Sequence, residues 1–242
     1  MNPMRDAVLR GIGFIEQNLH RDIGVCDVAN AVSYSQFYFS REFSRAAHIS
    51  VYDYILRRKI SESYKDLFGG QEKIVDLAFR YGFGSHEVYT RAFKKMFGQN
   101  PSEVSVFRPL AVYEAVDGHY LDFLDELRVE VFDNPVGDCW FEVNGVSDLS
   151  EPDSSFLVGL SKDNSYECSC IFRGEPQVQK KASLAFKLAG MNRKTRIYSD
   201  NARFSFRYFL DSFYEPDEMA GNYILLHKEN GSIDILVPQV DQ

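Results

Sequence analysis

The sequence predicts two domains of different class. The first is an all-α N-terminal domain, two helix–turn–helix units joined by a long helix. The second is an α+β C-terminal domain, an antiparallel sheet with helices on one face. Three observations predict this. A pattern at 35–43, SQFYFSREF, returns at 85–93 as SHEVYTRAF, with serine first, an aromatic four residues on (Phe39, Tyr89), then arginine and phenylalanine (Arg41 and Phe43, Arg91 and Phe93). Past residue 109 the helical spacing of apolar residues gives way to alternation. The charge balance changes at the same place: residues 1–108 hold 15 Lys+Arg and 12 Asp+Glu, net +3, and residues 109–242 hold 12 and 23, net −11. Such asymmetry points to two domains, 1–108 and 109–242, with different partners.

The elements follow in order. Residues 4–19 predict a first helix, with Val8, Ile12, Ile15 and Leu19 on one side. The first helix–turn–helix unit spans about 25–47. Val25, Val28, Ala29 and Val32 form a short apolar stripe, and Ala29 is small enough for a close helix crossing. Ser35 can cap the next helix by accepting from an orphan N–H, and Phe39 and Phe43 face inward. Ser50 to Asp53 resembles a capping box that opens the joining helix, VYDYILRRKISESYKDLF. There Tyr54, Ile55 and Ile60 pack on both units, while Arg57, Arg58 and Lys59 are either solvated or in contact with phosphate. Gly69-Gly70 ends that helix.

The second unit spans about 74–97. Aligned on VCDVA (25–29) and IVDLA (74–78) the copies are offset by 49, and on Arg and Phe by 50. One residue was therefore added in the turn, where Gly82-Phe83-Gly84 replaces Ser33-Tyr34. A length change in a turn between preserved helices is how a repeated unit drifts. Ser85 caps, and Tyr89 and Phe93 pack.

The side chains left over are the candidates for function. In the first copy they are Ser35, Gln36, Phe37, Tyr38, Ser40, Arg41 and Arg45; in the second, Ser85, His86, Glu87, Thr90, Arg91, Lys94 and Lys95. Amide, hydroxyl, guanidinium and imidazole groups along the N-terminal part of a helix are the chemistry that reads base edges in a major groove. One copy alone would read as an amphipathic helix with solvated charges; two matching copies favour DNA. Phe37 either meets a thymine methyl or packs on a neighbour, and Tyr38 is large where smaller polar residues would serve. Glu87 repels phosphate; it accepts from cytosine N4, or its helix lies over the backbone and reads little.

Residues 5–108 resemble the DNA-binding domain of the AraC/XylS family of transcriptional regulators. The resemblance is carried by IVDLAFRYGFGSHEVYTRAFKKMFGQNPSEV (74–104), including Ala78, Gly82-Phe83, Phe93-Lys94-Lys95, Phe97-Gly98 and Pro101. It implies seven helices and two recognition helices entering successive major-groove segments on one face of the DNA, about one turn (~34 Å) apart. It implies a regulator, expected to be an activator, bound as a monomer to promoter duplex DNA and touching RNA polymerase. His48 departs from the glycine usual in the family, at a stop that needs left-handed backbone.

In the second half, candidate strands are Phe156–Leu160, Tyr166–Phe172, Ser183–Leu188, Thr195–Tyr198 and Ile233–Val237. Residues 113–127 predict a helix or helix pair, and 202–213 either strand or helix, with helix from near Phe204 favoured by a faint resemblance of 155–238 to GyrI-like effector-binding domains. That resemblance rests on FLVGLS (156–161) and the closing GSIDILVP (231–238), and its domain order matches the Rob-like regulators. It implies a small hydrophobic or cationic effector held by aromatic faces and a carboxylate. The candidates are Trp140, Glu142, Glu167, Phe172, Tyr198 and Tyr208, each of which has an ordinary role as core aromatic or surface acid. The alternatives are a protein-interaction module without ligand, motivated by the net −11, and a GyrI-like hydrolase.

No enzyme is expected, because no nucleophile–base–orienter spacing, Gly-rich phosphate loop or metal set occurs. No cofactor or metal is expected: Cys168-Ser-Cys170 lacks zinc spacing and reads as strand residues. No run approaches eighteen apolar residues, the N-terminus lacks a signal-peptide plan, and Cys26 sits in the first unit, so no membrane partner and a reduced, cytoplasmic location are expected.

Overall fold

The computed structural model describes residues 3–68, 72–104, 112–146, 155–160, 166–173, 184–213, 223–229 and 231–238, with the backbone alone for those between 133 and 193 and for Tyr223, Ile224, Leu225, His227, Glu229 and Pro238. The chain divides into two compact units. The first holds Met1–Arg108 and Val112–Glu126; the second holds Pro109–Ala111 and Leu127–Gln242.

The first unit runs α1 (Pro3–Gln17), α2 (Val25–Ala31), α3 (Gln36–Ala47), α4 (Val51–Phe68), α5 (Ile74–Arg80), α6 (His86–Phe97), a 3-10 turn at Pro101–Glu103, and α7 (Gly118–Asp125). Its core joins aliphatic side chains of α1 and α2 to aromatic ones of α3, α4 and α6. Phe43 meets Tyr54 of α4 with ring centroids 5.5 Å apart, and Tyr64, farther along α4, meets Phe93 and Phe97 of α6 at 6.4 and 5.3 Å. One helix thus serves both copies, with Tyr54 near one end packed on the first and Tyr64 near the other packed on the second.

The two copies are also fastened to each other. The Lys59 ammonium donates to the Arg21 carbonyl at 2.6 Å, and the His20 and Tyr81 rings lie 4.6 Å apart. Gly82, at φ +70°, packs so closely on the loop before α2 that an added Cβ would stand 2.7 Å from the Arg21 oxygen. Ser33 takes the same left-handed conformation in the first copy (φ 64°), and Tyr34 and Phe83 donate their N–H to equivalent carbonyls, Ala29 and Ala78. The extra residue is therefore Gly84, after the turn. His48 adopts the left-handed stop (φ 56°) that Gly98 adopts in the second copy.

The basic run of α4 departs from expectation. Arg58 and Lys59 are each 5% exposed and so reach neither bulk solvent nor a phosphate. The Arg58 guanidinium pairs with Glu16 and Glu62 and donates to the Tyr113 carbonyl at 2.6 Å, while Arg57 lies over the Tyr113 ring. Burial alone would raise the Glu62 carboxyl, but hydrogen bonds from Lys65 and Arg58 outweigh it and hold the group below its ordinary value.

This network explains why the unit reaches past residue 108. Tyr113 N–H donates to Ser61 Oγ at 2.8 Å and Val116 N–H to the Tyr54 hydroxyl at 3.2 Å. The extended stretch 112–117 is thereby tied to α4, and Asp117 caps α7 by accepting from Tyr120 N–H. The expected helix at 113–127 is shorter because its first residues make these outward bonds instead of helical ones. Arg5 of α1 then donates to Gly118 O and Asp122.

The second unit is a closed antiparallel barrel in the order β1-β3-β2-β5-β6-β4. Its strands are β1 (Val129–Val146), β2 (Ser155–Leu160), β3 (Tyr166–Arg173), β4 (Leu184–Ile197), β5 (Tyr223–Glu229) and β6 (Ser232–Pro238), with α8 (Ala202–Ser212) between β4 and β5. The antiparallel sheet is as expected, but it closes on itself, and α8 is its only helix among the described residues. The predicted strands at 183–188 and 195–198 are parts of one strand, β4, and β1 and β5 were not anticipated. β1 contains Asn134-Pro135 and Gly137, which read as turn signals; they fall where its pairing with β4 shifts register, so bulges absorb them. The ambiguous 202–213 is helix, capped by Asn201, with Phe206 and Phe209 buried.

Candidate nucleic-acid interface

Each candidate helix starts the same way. Ser35 Oγ accepts from Tyr38 N–H at 3.4 Å, and Ser85 Oγ from Val88 N–H at 3.3 Å, so both hydroxyls serve the backbone. In α3, Phe39 and Phe43 are fully buried, and Gln36, Tyr38, Arg41 and Arg45 are exposed, with Ser40 half-buried. Phe37 is 79% exposed, so of its two sequence readings the packed one fails within the described residues. In α6, Tyr89 and Phe93 are buried, Glu87, Arg91, Lys94 and Lys95 are exposed, and His86 and Thr90 are half-buried. Thr90 Oγ1 is buried and makes no hydrogen bond among the described residues.

The electrostatics of the two faces differ. The Glu87 carboxyl is held below its usual value, first by a hydrogen bond from the Ser85 side chain and then by the backbone, so α6 keeps a negative charge in its first turn. On α3 a column of groups runs away from the turn. Tyr34 stacks on Tyr38 at 5.7 Å, and the Arg41 guanidinium lies 5.2 Å over the Tyr38 ring. Arg41 also pairs with Glu42 at 3.0 Å, and Arg45 pairs with the other oxygen of the same carboxylate at 2.6 Å.

Sequence reasoning missed Tyr34, Glu42 and Val88. Tyr34 and Tyr38 have i, i+4 spacing across the helix start, and Glu42 stands next to one arginine and three before another. Both were signals. Val88, 42% exposed beside Glu87, carries none.

The effector candidates are only partly described. Glu142 and Phe172 are register partners across β1 and β3; Trp140 lies on β1 and Glu167 on β3, and the side chains of these four fall outside the described residues. Tyr198 is exposed, and its hydroxyl donates to Glu130 at 2.7 Å. Tyr208 lies on α8, its ring 5.9 Å from Phe213. Tyr198 directly follows β4, whereas Tyr208 stands within α8. The C-x-C pair lies in β3. Among the described residues no group of His, Cys, Asp or Glu is set to hold a metal, and no helix is long and apolar enough to cross a membrane.

A helix-turn-helix domain family matches residues 28–105, which covers α3 to α6 and most of α2. The chain is 37% identical over 101 residues to the uncharacterized HTH-type transcriptional regulator YbfP of Bacillus subtilis, a match spanning 42% of this chain and 34% of that one. It is 32% identical over 92 residues to the probable transcription factor PqrA of Proteus vulgaris, spanning 37% of this chain and 75% of that one. The chain thus matches only about a third of the length of the first relative. Among solved structures, a transcriptional regulator from Chromobacterium violaceum, described with AraC-type DNA-binding domain-containing proteins, aligns with TM-score 0.39 and 19% identity over 40% of this chain and 88% of that one. With the repeat, the capped helices and the exposed polar faces already in view, the relationship to PqrA over most of its length is decisive: the chain belongs to the AraC family of helix–turn–helix transcriptional regulators.

Proposed function

We propose that the protein is a sequence-specific regulator, an activator, that seats α3 and α6 in successive major-groove segments on one face of duplex DNA. Gln36, Phe37, Tyr38, Ser40, Arg41 and Arg45 serve the first segment; His86, Glu87, Thr90, Arg91, Lys94 and Lys95 serve the second. Ser35 and Ser85 set the two helix starts. The observation that carries this reading is the fastening of the two copies: Lys59 to the Arg21 carbonyl, His20 to Tyr81, and Gly82 against the Arg21 backbone. Two helices held in one rigid frame suit one asymmetric site read by a monomer, with no second chain needed to set the spacing. Polymerase contact belongs to the same reading.

The second unit, in this reading, is a GyrI-like module for a hydrophobic or cationic effector. It alters DNA affinity only as far as that effector binds two states unequally. Its support is the faint resemblance and the register partnership of Glu142 with Phe172.

The test is selection of tight binders from a random duplex pool with the full chain. Enrichment of one asymmetric site of about two major-groove turns is expected. Arg41→Ala should weaken binding to that site at least about tenfold, the scale of one lost bidentate contact. Failure to enrich any duplex, or wild-type affinity in Arg41→Ala, overturns the reading.

A further inference from the structure

We propose that Glu42 is a positioning residue for recognition: it holds the Arg41 and Arg45 guanidinium groups in one arrangement before DNA arrives. The inference rests on the reading above, in which α3 enters the groove.

The side chain of Glu42 is 7% exposed, whereas those of Arg41 and Arg45 are 59% and 74% exposed. A buried carboxylate between two exposed cations inverts the usual surface ion pair, in which both partners are wet and neither is fixed. Here the anchor is rigid. One oxygen accepts from Arg41 Nε at 3.1 Å and lies 3.0 Å from its Nη2, and the other forms an ion pair with Arg45 Nη2 at 2.6 Å. Arg41 is gripped a second time, its guanidinium lying over the Tyr38 ring, which is itself stacked on Tyr34. The carboxylate engages one edge of each guanidinium, and each keeps further N–H donors for an acceptor.

A free arginine loses much rotamer freedom when it makes an oriented contact. An arginine already held loses less, so more of the contact energy appears as affinity for the right site. Glu42 also lowers the charge of the cluster from +2 to +1, which weakens attraction to any phosphate, whatever the sequence. Both effects act in one direction. They raise the ratio of specific to non-specific binding. The second copy is an internal contrast: Ala92 stands where Glu42 stands in the first, so Arg91 has no neighbouring carboxylate at that position.

The test uses the full chain and two probes: the duplex selected by the wild-type protein, and a shuffled duplex of the same base composition. Glu42→Gln keeps the shape and removes the charge. The ratio of the two affinities should fall about tenfold, on the scale of ordering two rotamer-rich side chains. Binding to the shuffled duplex should hold or rise, with a steeper dependence on salt. A merely structural role predicts the opposite pattern, in which both affinities fall together and the ratio stays constant; that result overturns the proposal. If Glu42→Gln does not fold, Arg45→Lys at its exposed position reads the same question. It keeps the cation and loses the planar fork, so a ratio equal to wild type overturns the proposal as well. A wild-type protein that selects no duplex overturns the regulator reading and this one with it. A selected duplex with an unchanged ratio in the variant overturns this one alone.

Discussion

At Gly82 two requirements meet in one residue. Its φ of +70° is in the left-handed region, which costs an L-residue about 1–2 kcal/mol. A methyl group there would also stand 2.7 Å from the Arg21 oxygen and 2.8 Å from Asp22 N, both backbone atoms that cannot swing aside. Gly82→Ala should therefore lower the stability of the helical unit by at least about 2 kcal/mol, read from denaturant unfolding with unchanged slope. Ser33→Ala is the comparison, since the same conformation there already carries a Cβ and should change stability far less. Some of this scale was visible in the residues. The offset change from 49 to 50 placed the insertion in the turn, and the serine caps and the His48 stop follow from local chemistry. Arg58 and Lys59 were not visible. A basic run reads as surface because burial of a cation depends on partners that sequence proximity does not reveal. Here those partners are Glu16, 42 residues before Arg58, and the Tyr113 carbonyl, 55 residues after it.

At the scale of elements, the segment 112–126 decides where the helical unit ends. The apolar pattern 4–19, the two short helices and α4 were legible because each buries one stripe at helical spacing. The strap 112–117 was not, because extended backbone bonded to side chains of another helix leaves no period. The first-half boundary expected at Arg108 follows the repeat, and the structure adds Tyr113, Val116, Tyr120, Leu121 and Leu124, all buried. A chain ending at 108 loses these side chains and leaves Arg58, Ser61 and the Tyr54 hydroxyl without their partners from the strap. Compared with a chain ending at 126, its thermal midpoint should be lower, on the order of 10 °C for a loss of a few kcal/mol in a unit this size. Equal midpoints would mean that the strap follows the fold without supporting it. In the second half, β1 was missed for the related reason that bulges let Pro and Gly sit inside a strand.

At the scale of the whole molecule, the units as folded carry a different charge from the halves of the sequence. The segment 112–126 brings Glu114, Asp117, Asp122, Asp125 and Glu126 and no cation, which turns the net +3 of residues 1–108 into −2 for the first unit and leaves −6 of the total −8 on the second. Bulk attraction cannot then be what brings this protein to DNA. In the function proposed above, the work falls to local groups such as Arg41, Arg45, Arg91, Lys94 and Lys95, against a background that repels phosphate. That background is long-ranged and so depends on salt, with a Debye length of about 10 Å at 0.1 M and about 3 Å at 1 M. Residues 1–126 should therefore bind a shuffled duplex more tightly than the full chain at low salt, and the difference should shrink toward zero as salt rises. The measurement is the affinity of both chains for that duplex across a salt series. A difference that persists when charges are screened would mean that the second unit acts on DNA binding by contact or by conformation, and the search for an effector would start from that residual.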